Sequence, residues 1–242
     1  MDDDLDQLLS SLKLTQMRTV LEEHLSRATT NRPSYSDFLR QLLREELHSQ
    51  QERFLEGRIA RAQLPNRWAL ETFPWERQPG APKTQILELA GLSFLGTGTN
   101  IVFMGGTGVG KTGLATGILL KAVLSGRRGQ FVRAQDLFDE MYRSLADLST
   151  RKLLTRMSRV ELLLIDEMGY LNLKPEQSNI FFKLMEERYQ NRVSTMITTN
   201  LEYEEWAGFL GQKPMVAALL DRLRHKCQTI KIEGASLRTP GG

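Results

Sequence analysis

A chain of 242 residues with 32 Lys and Arg against 29 Asp and Glu carries a formal net charge of +3 and has room for one substantial α/β domain plus a smaller appendage, not for two enzymatic domains. Its single cysteine, Cys227, excludes an internal disulfide and a cysteine-built zinc cage, and His24, His48 and His225 stand too far apart in sequence to suggest a metal cluster. With no apolar run long enough to span a bilayer, and with Asp2-Asp3-Asp4 at the amino end where a secretory signal would be basic, a cytoplasmic setting with no membrane partner is expected.

From Leu5 to Arg27 apolar residues recur at helical spacing, interrupted near Leu14-Thr15, which predicts one or two short helices. Asn31-Arg32-Pro33 breaks the chain. Ser34, with Asp37 three residues on, predicts a cap for a second helix from about Asp37 to Gln63, whose stripe Leu39, Leu43, Leu47, Gln50, Phe54 and Arg58 turns polar toward its end. Arg53, Arg58, Arg61 and Arg67 make that end basic; spacing alone favours a solvated face, and contact with DNA phosphates is the alternative. The Pro-rich stretch Pro65–Pro82 has no clean period and reads as a linker, its Trp68 and Trp75 expected to pack on the core rather than hold an adenine ring. The division that follows is a helical amino-terminal domain over 1–64, a linker over 65–84 and a nucleotide-binding domain over 85–242.

In that domain a helix is predicted over Gln85–Leu95, ended by Gly96-Thr97-Gly98. The apolar run Ile101–Met104 then leads into Gly105-Gly106-Thr107-Gly108-Val109-Gly110-Lys111-Thr112, the pattern of a phosphate-binding loop. Glycines let successive N–H groups turn inward around phosphate oxygens, Lys111 would reach the β- and γ-phosphates, and Thr112 would place its hydroxyl on Mg2+. From Gly113 to Leu124 the spacing is helical, so the loop opens a helix whose amino end favours an anion. After the turn Ser125–Gly129, Phe131-Val132 reads as a short strand. Two helices are predicted over Gln135–Leu148 and Thr150–Arg159.

Glu161–Glu167 is a continuous apolar run that ends in Asp166 and Glu167. A buried central strand accounts for the leucines but not for two acids at its tip. Asp166 is placed to hold the magnesium, and Glu167 to orient and deprotonate an attacking water. A helix over Pro175–Gln190 follows, then the β-branched strand from Val193 to Asn200; an asparagine at such a tip can be a turn residue, but beside the phosphate loop and the Asp-Glu pair its amide is expected to face the γ-phosphate or the catalytic water. Helices over Glu202–Leu210 and Met215–Lys226, a last strand over Gln228–Glu233 and a frayed end over Leu237–Gly242 complete the prediction.

The order GGTGVGKT, LLLIDE, TTN and LLDRL resembles an AAA+ ATPase. With SYSDFLRQLLREE and RIARAQLP ahead of it, the chain from about residue 5 to 238 is similar to the IstB-like helper ATPases of insertion-sequence transposition, relatives of the DnaC helicase loaders. The resemblance implies an α/β fold, a P-loop AAA+ core with a central parallel sheet flanked by helices, preceded by a small helical domain. It implies ATP and Mg2+ as ligands, Lys111 and Thr112 as the Walker A pair, Asp166 and Glu167 as Walker B, and Asn200 as the first sensor. It makes Arg222 the finger offered to a neighbouring subunit's γ-phosphate, with Arg224 and then Arg188 as fallbacks. Only 42 residues follow Asn200, so the carboxy-terminal lid is expected to be reduced or absent, with Arg238 where a second sensor would fall. The implied activity is ATP hydrolysis by a homo-oligomer on double-stranded DNA, assisting a cognate transposase in target capture, with Arg53, Arg58, Arg61, Arg127, Arg128, Arg151, Lys152 and Arg156 as candidate DNA contacts. A DnaC-like helicase loader is the alternative; a small-molecule kinase fits less well, because no acceptor pocket is visible.

Overall fold

The computed structural model describes residues 3–169, 171–211, 216, 217, 221 and 226–238. The chain divides into two compact units, Met1–Gly57 and Arg58–Gly242. In the first, α1 (Asp3–Ser11) and α2 (Thr15–Asn31) are separated where Lys13 takes φ +58, and α3 (Tyr35–Ala62) begins after Ser34 accepts the Asp37 N–H at 3.1 Å. Leu9, Met17, Leu21 and Leu42 form its small core. The amino end of α2 finds its cap on another helix: Met17 N–H donates to Glu46 Oε2 at 2.8 Å. Burial alone would raise the pKa of Glu46, but hydrogen bonds from Met17 N–H, Gln50 and Arg53 hold it below the ordinary carboxylate value.

The second unit is built on five parallel strands, β1 (Asn100–Gly105), β2 (Gly129–Arg133), β3 (Leu162–Met168), β4 (Ser194–Thr199) and β5 (Cys227–Ile232), in the order β2-β3-β4-β1-β5. Between them run α5 (Lys111–Leu124), α6 (Ala134–Ala146), α7 (Thr150–Ser158), α8 (Pro175–Gln190) and α9 (Tyr203–Leu210), with α4 (Lys83–Leu89) ahead of β1. Both faces of the sheet are covered, which is why the strands read as unbroken apolar runs. The period of two is still present within them. Val102, Met104, Leu163 and Ile165 face Phe138, Leu154, Phe181 and Trp206 on one side; Ile101, Phe103, Leu162 and Leu164 face Ile86, Leu114, Ile118 and Leu119 on the other. Cys227 opens β5, half-buried, its Sγ 3.7 Å from the Tyr203 hydroxyl.

Three expectations are revised. The helix predicted over Gln85–Leu95 stops at Leu89, because the chain tightens into Gly91 N–H to Glu88 O and Leu92 N–H to Leu89 O turns and Leu92 adopts φ +61. The Pro-rich stretch contains two single 3₁₀ turns, Leu70–Thr72 and Trp75–Arg77, and buries Leu70, Phe73 and Ala81 in the core. Leu70 comes so close to α5 that a Cβ on Gly117 would lie 2.8 Å from its side chain, so this packing requires glycine there. Finally, the start of the end predicted to fray is tied down, with Leu237 N–H donating to Gly108 O at 2.9 Å. The helix predicted over Met215–Lys226 falls almost wholly outside the described residues, as do Arg222 and Arg224.

Candidate nucleotide site

Because all five strands run parallel, their carboxyl ends share one edge, and a crevice opens there. Its volume is about 590 Å³. The phosphate loop lines it between β1 and α5, with Asp166 and Glu167 from the tip of β3 and Thr198, Thr199 and Asn200 from β4. Arg133 enters from the tip of β2, Pro65, Asn66, Trp68 and Phe73 from the Pro-rich stretch, and Leu237 and Arg238 from beyond β5. Thr107, Gly108, Gly110, Lys111, Thr112, Gly113, Asp166, Glu167 and Asn200 therefore meet in one place, while Gly105, Gly106 and Val109 shape the loop without lining the crevice and Arg222 lies outside the described residues.

At Gly110, φ is +98, and a Cβ there would strike the Phe73 ring at 2.7 Å; this is what allows the loop to turn directly into α5. Lys111 is folded back, its Nζ donating to Gly105 O at 2.8 Å and Gly106 O at 2.6 Å. Burial first, and then the neighbouring Arg238, lower its pKa, while Asp166 and Glu167 pull it upward.

The Asp-Glu pair is held by an irregularity in the sheet. Ile165 pairs with Ile197 but Met168 pairs with Thr199, so β3 fits an extra residue between these points, and Glu167 takes φ +60 there. The bulge turns Asp166 inward, 4% exposed, and leaves Glu167 open to the crevice. One hydroxyl stabilises the arrangement: Thr198 Oγ1 donates to Asp166 Oδ1 at 2.6 Å and accepts the Glu167 N–H at 2.9 Å. Thr112 Oγ1 donates to the same Asp166 Oδ1 at 2.8 Å. A hydroxyl and a carboxylate so close are hard oxygen donors suited to magnesium, which takes few protein ligands and keeps water and phosphate for the rest. Asn200 presents a buried side-chain oxygen that has no hydrogen-bond partner among the described residues. Loop, ammonium, hydroxyl-carboxylate pair and unpaired amide together fit a nucleoside triphosphate with its divalent cation.

Sequence reasoning missed Thr198, hidden inside a β-branched run, and Arg133, although its position at a strand tip, opposite Asp166 in register, was a usable signal. Trp68, expected to pack on the core, lies over α5 beside Gly113 and, 44% exposed, also lines the crevice. Arg188 cannot be the trans finger: it is 1% exposed, donating to Met157 O, Val160 O, Ser194 O and Thr195 Oγ1. Burial lowers its pKa to about 9, so it remains charged at neutral pH.

The DNA candidates fall in three places. Arg53 pairs with Glu46 at 3.0 Å in the first unit. In the second unit, Arg58 is part-buried with its guanidinium at the Gly126 turn, and Arg61 is exposed on α3. Arg127 and Arg128 share Glu161, and Arg151, Lys152 and Arg156 lie on the exposed face of α7.

The sheet order and the site define an AAA+ nucleotide-binding protein. The chain belongs to the IstB-like ATP-binding proteins, whose family model matches residues 7–240. It is 33% identical over 235 residues to a putative ATP-binding protein of insertion sequence IS21 from Pseudomonas aeruginosa, covering 97% of this chain and 88% of the relative. It is 35% identical over 211 residues to the IS5376 counterpart from Geobacillus stearothermophilus, covering 87% and 84%. Among solved structures, DnaI superposes with a TM-score of 0.59 at 22% identity, over 69% of this chain and 92% of that one. The DnaC helicase loader gives 0.54 at 24%, over 62% and 88%. The replication initiator DnaA bound to AMPPCP and single-stranded DNA gives 0.60 at 20%, over 72% and 52%. At such identities these structures speak for the fold alone.

Proposed function

We propose that this chain hydrolyses ATP and, in its ATP-bound form, assembles on duplex DNA to help the transposase of its insertion sequence capture a target. The observation that carries the enzymatic part is the bulge in β3, which presents Glu167 to the crevice beside the unpaired Asn200 amide. Lys111 would release its two loop carbonyls and bind the β- and γ-phosphates. Thr112 and Asp166 would hold Mg2+, which when bound neutralises phosphate charge as it builds up. Asn200 would orient the attacking water and Glu167 would take its proton. Arg222, supplied by a neighbouring subunit, would meet the γ-phosphate, so turnover would depend on assembly. The relatives' association with insertion sequences supports a transposase as partner. In this reading the helical domain over 1–64 serves partner contacts, and 85–242, with the residues of the Pro-rich stretch that line the crevice, serves ATP.

The test is to measure assembly size on long duplex and on single-stranded DNA with ATP, ADP or no nucleotide, using Glu167→Gln to hold the ATP state. Large ATP-dependent assemblies on duplex are expected. Assembly only on single strands, or only with a replicative helicase, would replace this reading with that of a helicase loader.

A further inference from the structure

The edge of the sheet opposite the crevice collects the amino ends of all five strands, and four of the five are entered through a cation. Arg127 and Arg128 precede β2, Arg159 precedes β3, Arg192 precedes β4 and Lys226 precedes β5. Next to them, α7 turns Leu153, Leu154 and Met157 into the core and Arg151, Lys152, Thr155 and Arg156 outward, with no acid anywhere on the helix. Three carboxylates offset part of this charge: Glu161 bridges Arg127 and Arg128, Glu140 holds Arg156 at 2.5 Å, and Asp147 lies just ahead of α7. Arg151, Lys152, Arg159 and Arg192 close no ion pair among the described residues.

We propose that this amino edge, with the outer face of α7, grips the sugar-phosphate backbone of duplex DNA; the inference rests on the reading of the chain as a helper that assembles on duplex. Three features favour a polyanion. First, the backbone that carries the cations at the entries to β2, β3 and β4 is fixed before any partner arrives. The buried Arg188 ties the end of α7 and the turn ahead of β3 to the start of β4, Glu161 N–H bonds Arg128 O at 2.9 Å, and a Cβ on Gly98 would lie 3.2 Å from the Arg192 Cα. Second, with strands about 4.8 Å apart, the turns from β2 to β5 extend over roughly 19 Å, the axial rise of about six phosphates on one strand. Third, the depression beside α7 has Leu148 as its one large apolar side chain, so it lacks the desolvated apolar centre on which protein interfaces are built. Guanidinium groups predominate, and their forked donors match phosphate oxygens without reading sequence. DNA held at this edge would leave the crevice free for the neighbouring subunit.

The experiment measures affinity of the full-length protein for a 40-base-pair duplex across a salt series with a non-hydrolysable ATP analogue, comparing wild type, Arg151→Glu/Lys152→Glu, Arg159→Ala/Arg192→Ala, and Arg53→Ala as a control. Loss of two phosphate contacts per subunit should weaken binding at 0.1 M salt by about ten- to hundredfold and flatten the log–log salt slope by about two. The control, already neutralised by Glu46, should match wild type, and analogue affinity should be unchanged in all four proteins, showing that they fold. If wild type binds duplex and both edge variants bind equally well with the same slope, the inference is wrong and the functional reading stands. If wild type binds no duplex under any nucleotide condition, the reading fails and the inference with it. If the edge variants keep duplex affinity but lose the transposase, the surface is a protein dock, which also overturns the proposal.

Discussion

The two edges of the sheet are made by the same five strands and hold opposite kinds of chemistry. At the carboxyl edge groups are left unsettled: an exposed carboxylate on Glu167 carried by the bulge, an amide oxygen on Asn200 with no partner among the described residues, and an ammonium on Lys111 turned onto its own loop. At the amino edge the backbone is laced, as Arg188 and Glu161 satisfy carbonyls and N–H groups that turns would otherwise leave open. Strain and unmet hydrogen bonds cost stability and persist where a ligand will use them. Laced turns add to stability and fix whatever they carry. One edge is thus prepared for a reaction, the other for holding its charges in place.

Substitutions at the two edges should therefore separate binding and turnover from stability. The largest effect is expected from Glu167→Gln, which should reduce ATP turnover by about 10²- to 10⁴-fold, the range for loss of a general base, with ATP affinity retained. Phosphate release alongside a fluorescent-nucleotide titration would measure both, and normal turnover would mean that the base lies elsewhere. Lys111→Ala comes next. Removing two charge-assisted bonds to phosphate at about 1.5–3 kcal/mol each should weaken nucleotide affinity by about a hundredfold or more, with little change in denaturant midpoint. On the laced edge the pattern should invert: Arg188→Met leaves four acceptors short of a donor and should lower unfolding stability by about 3–5 kcal/mol, with nucleotide affinity of the folded protein intact. A loss of affinity as large as that of Lys111→Ala would break the comparison.

Two smaller effects sharpen it. Thr198→Val keeps the shape but removes the hydroxyl joining Asp166 to the Glu167 backbone. Turnover should fall about tenfold and require more Mg2+, a change in dependence that simple destabilisation would not produce; this corresponds to about 1.4 kcal/mol in the barrier. Lys111 must be protonated to bind phosphate, and its pKa is already lowered from 10.5 by burial and by Arg238. Arg238→Ala removes a like charge and lets that pKa rise, so the alkaline decline in nucleotide affinity should move to higher pH. A decline that stayed in place would show that Arg238 does not act on Lys111.

How much of this was legible in the sequence follows from which signals are local. The strands were readable because burial on both faces leaves long apolar runs, and their tips because polar residues there interrupt a pattern that burial would extend. Asp166, Glu167 and Asn200 all stood out this way. The bulge did not, since one extra residue between Ile165 and Met168 depends on pairing with β4. Thr198 was invisible for the opposite reason: threonine is a favoured strand residue, and nothing in the chain marks the hydroxyl that bridges two others. Arg188 fell on the apolar stripe of its helix and served only as the last fallback for the finger, because a charged residue is ordinarily solvated and only the fold brings four acceptors to it. The helix expected over Gln85–Leu95 overran because apolar spacing continued past the point where Leu92 turns left-handed.

Cys227 gives the molecule a clock of its own. It is the only cysteine, it opens β5 at the margin of the sheet, and burial raises its thiol pKa, so little of the reactive thiolate is present while the strand is docked. Alkylation in native buffer should therefore wait for β5 to peel from β1, and its rate would report the free energy of that opening. Because the chain beyond β5 is hydrogen-bonded to the phosphate loop at Gly108, a bound nucleotide should slow the clock. The wild-type protein thus carries, without any added label, a time-resolved measure of how ligand occupancy at one end of the sheet is felt along its edge strand.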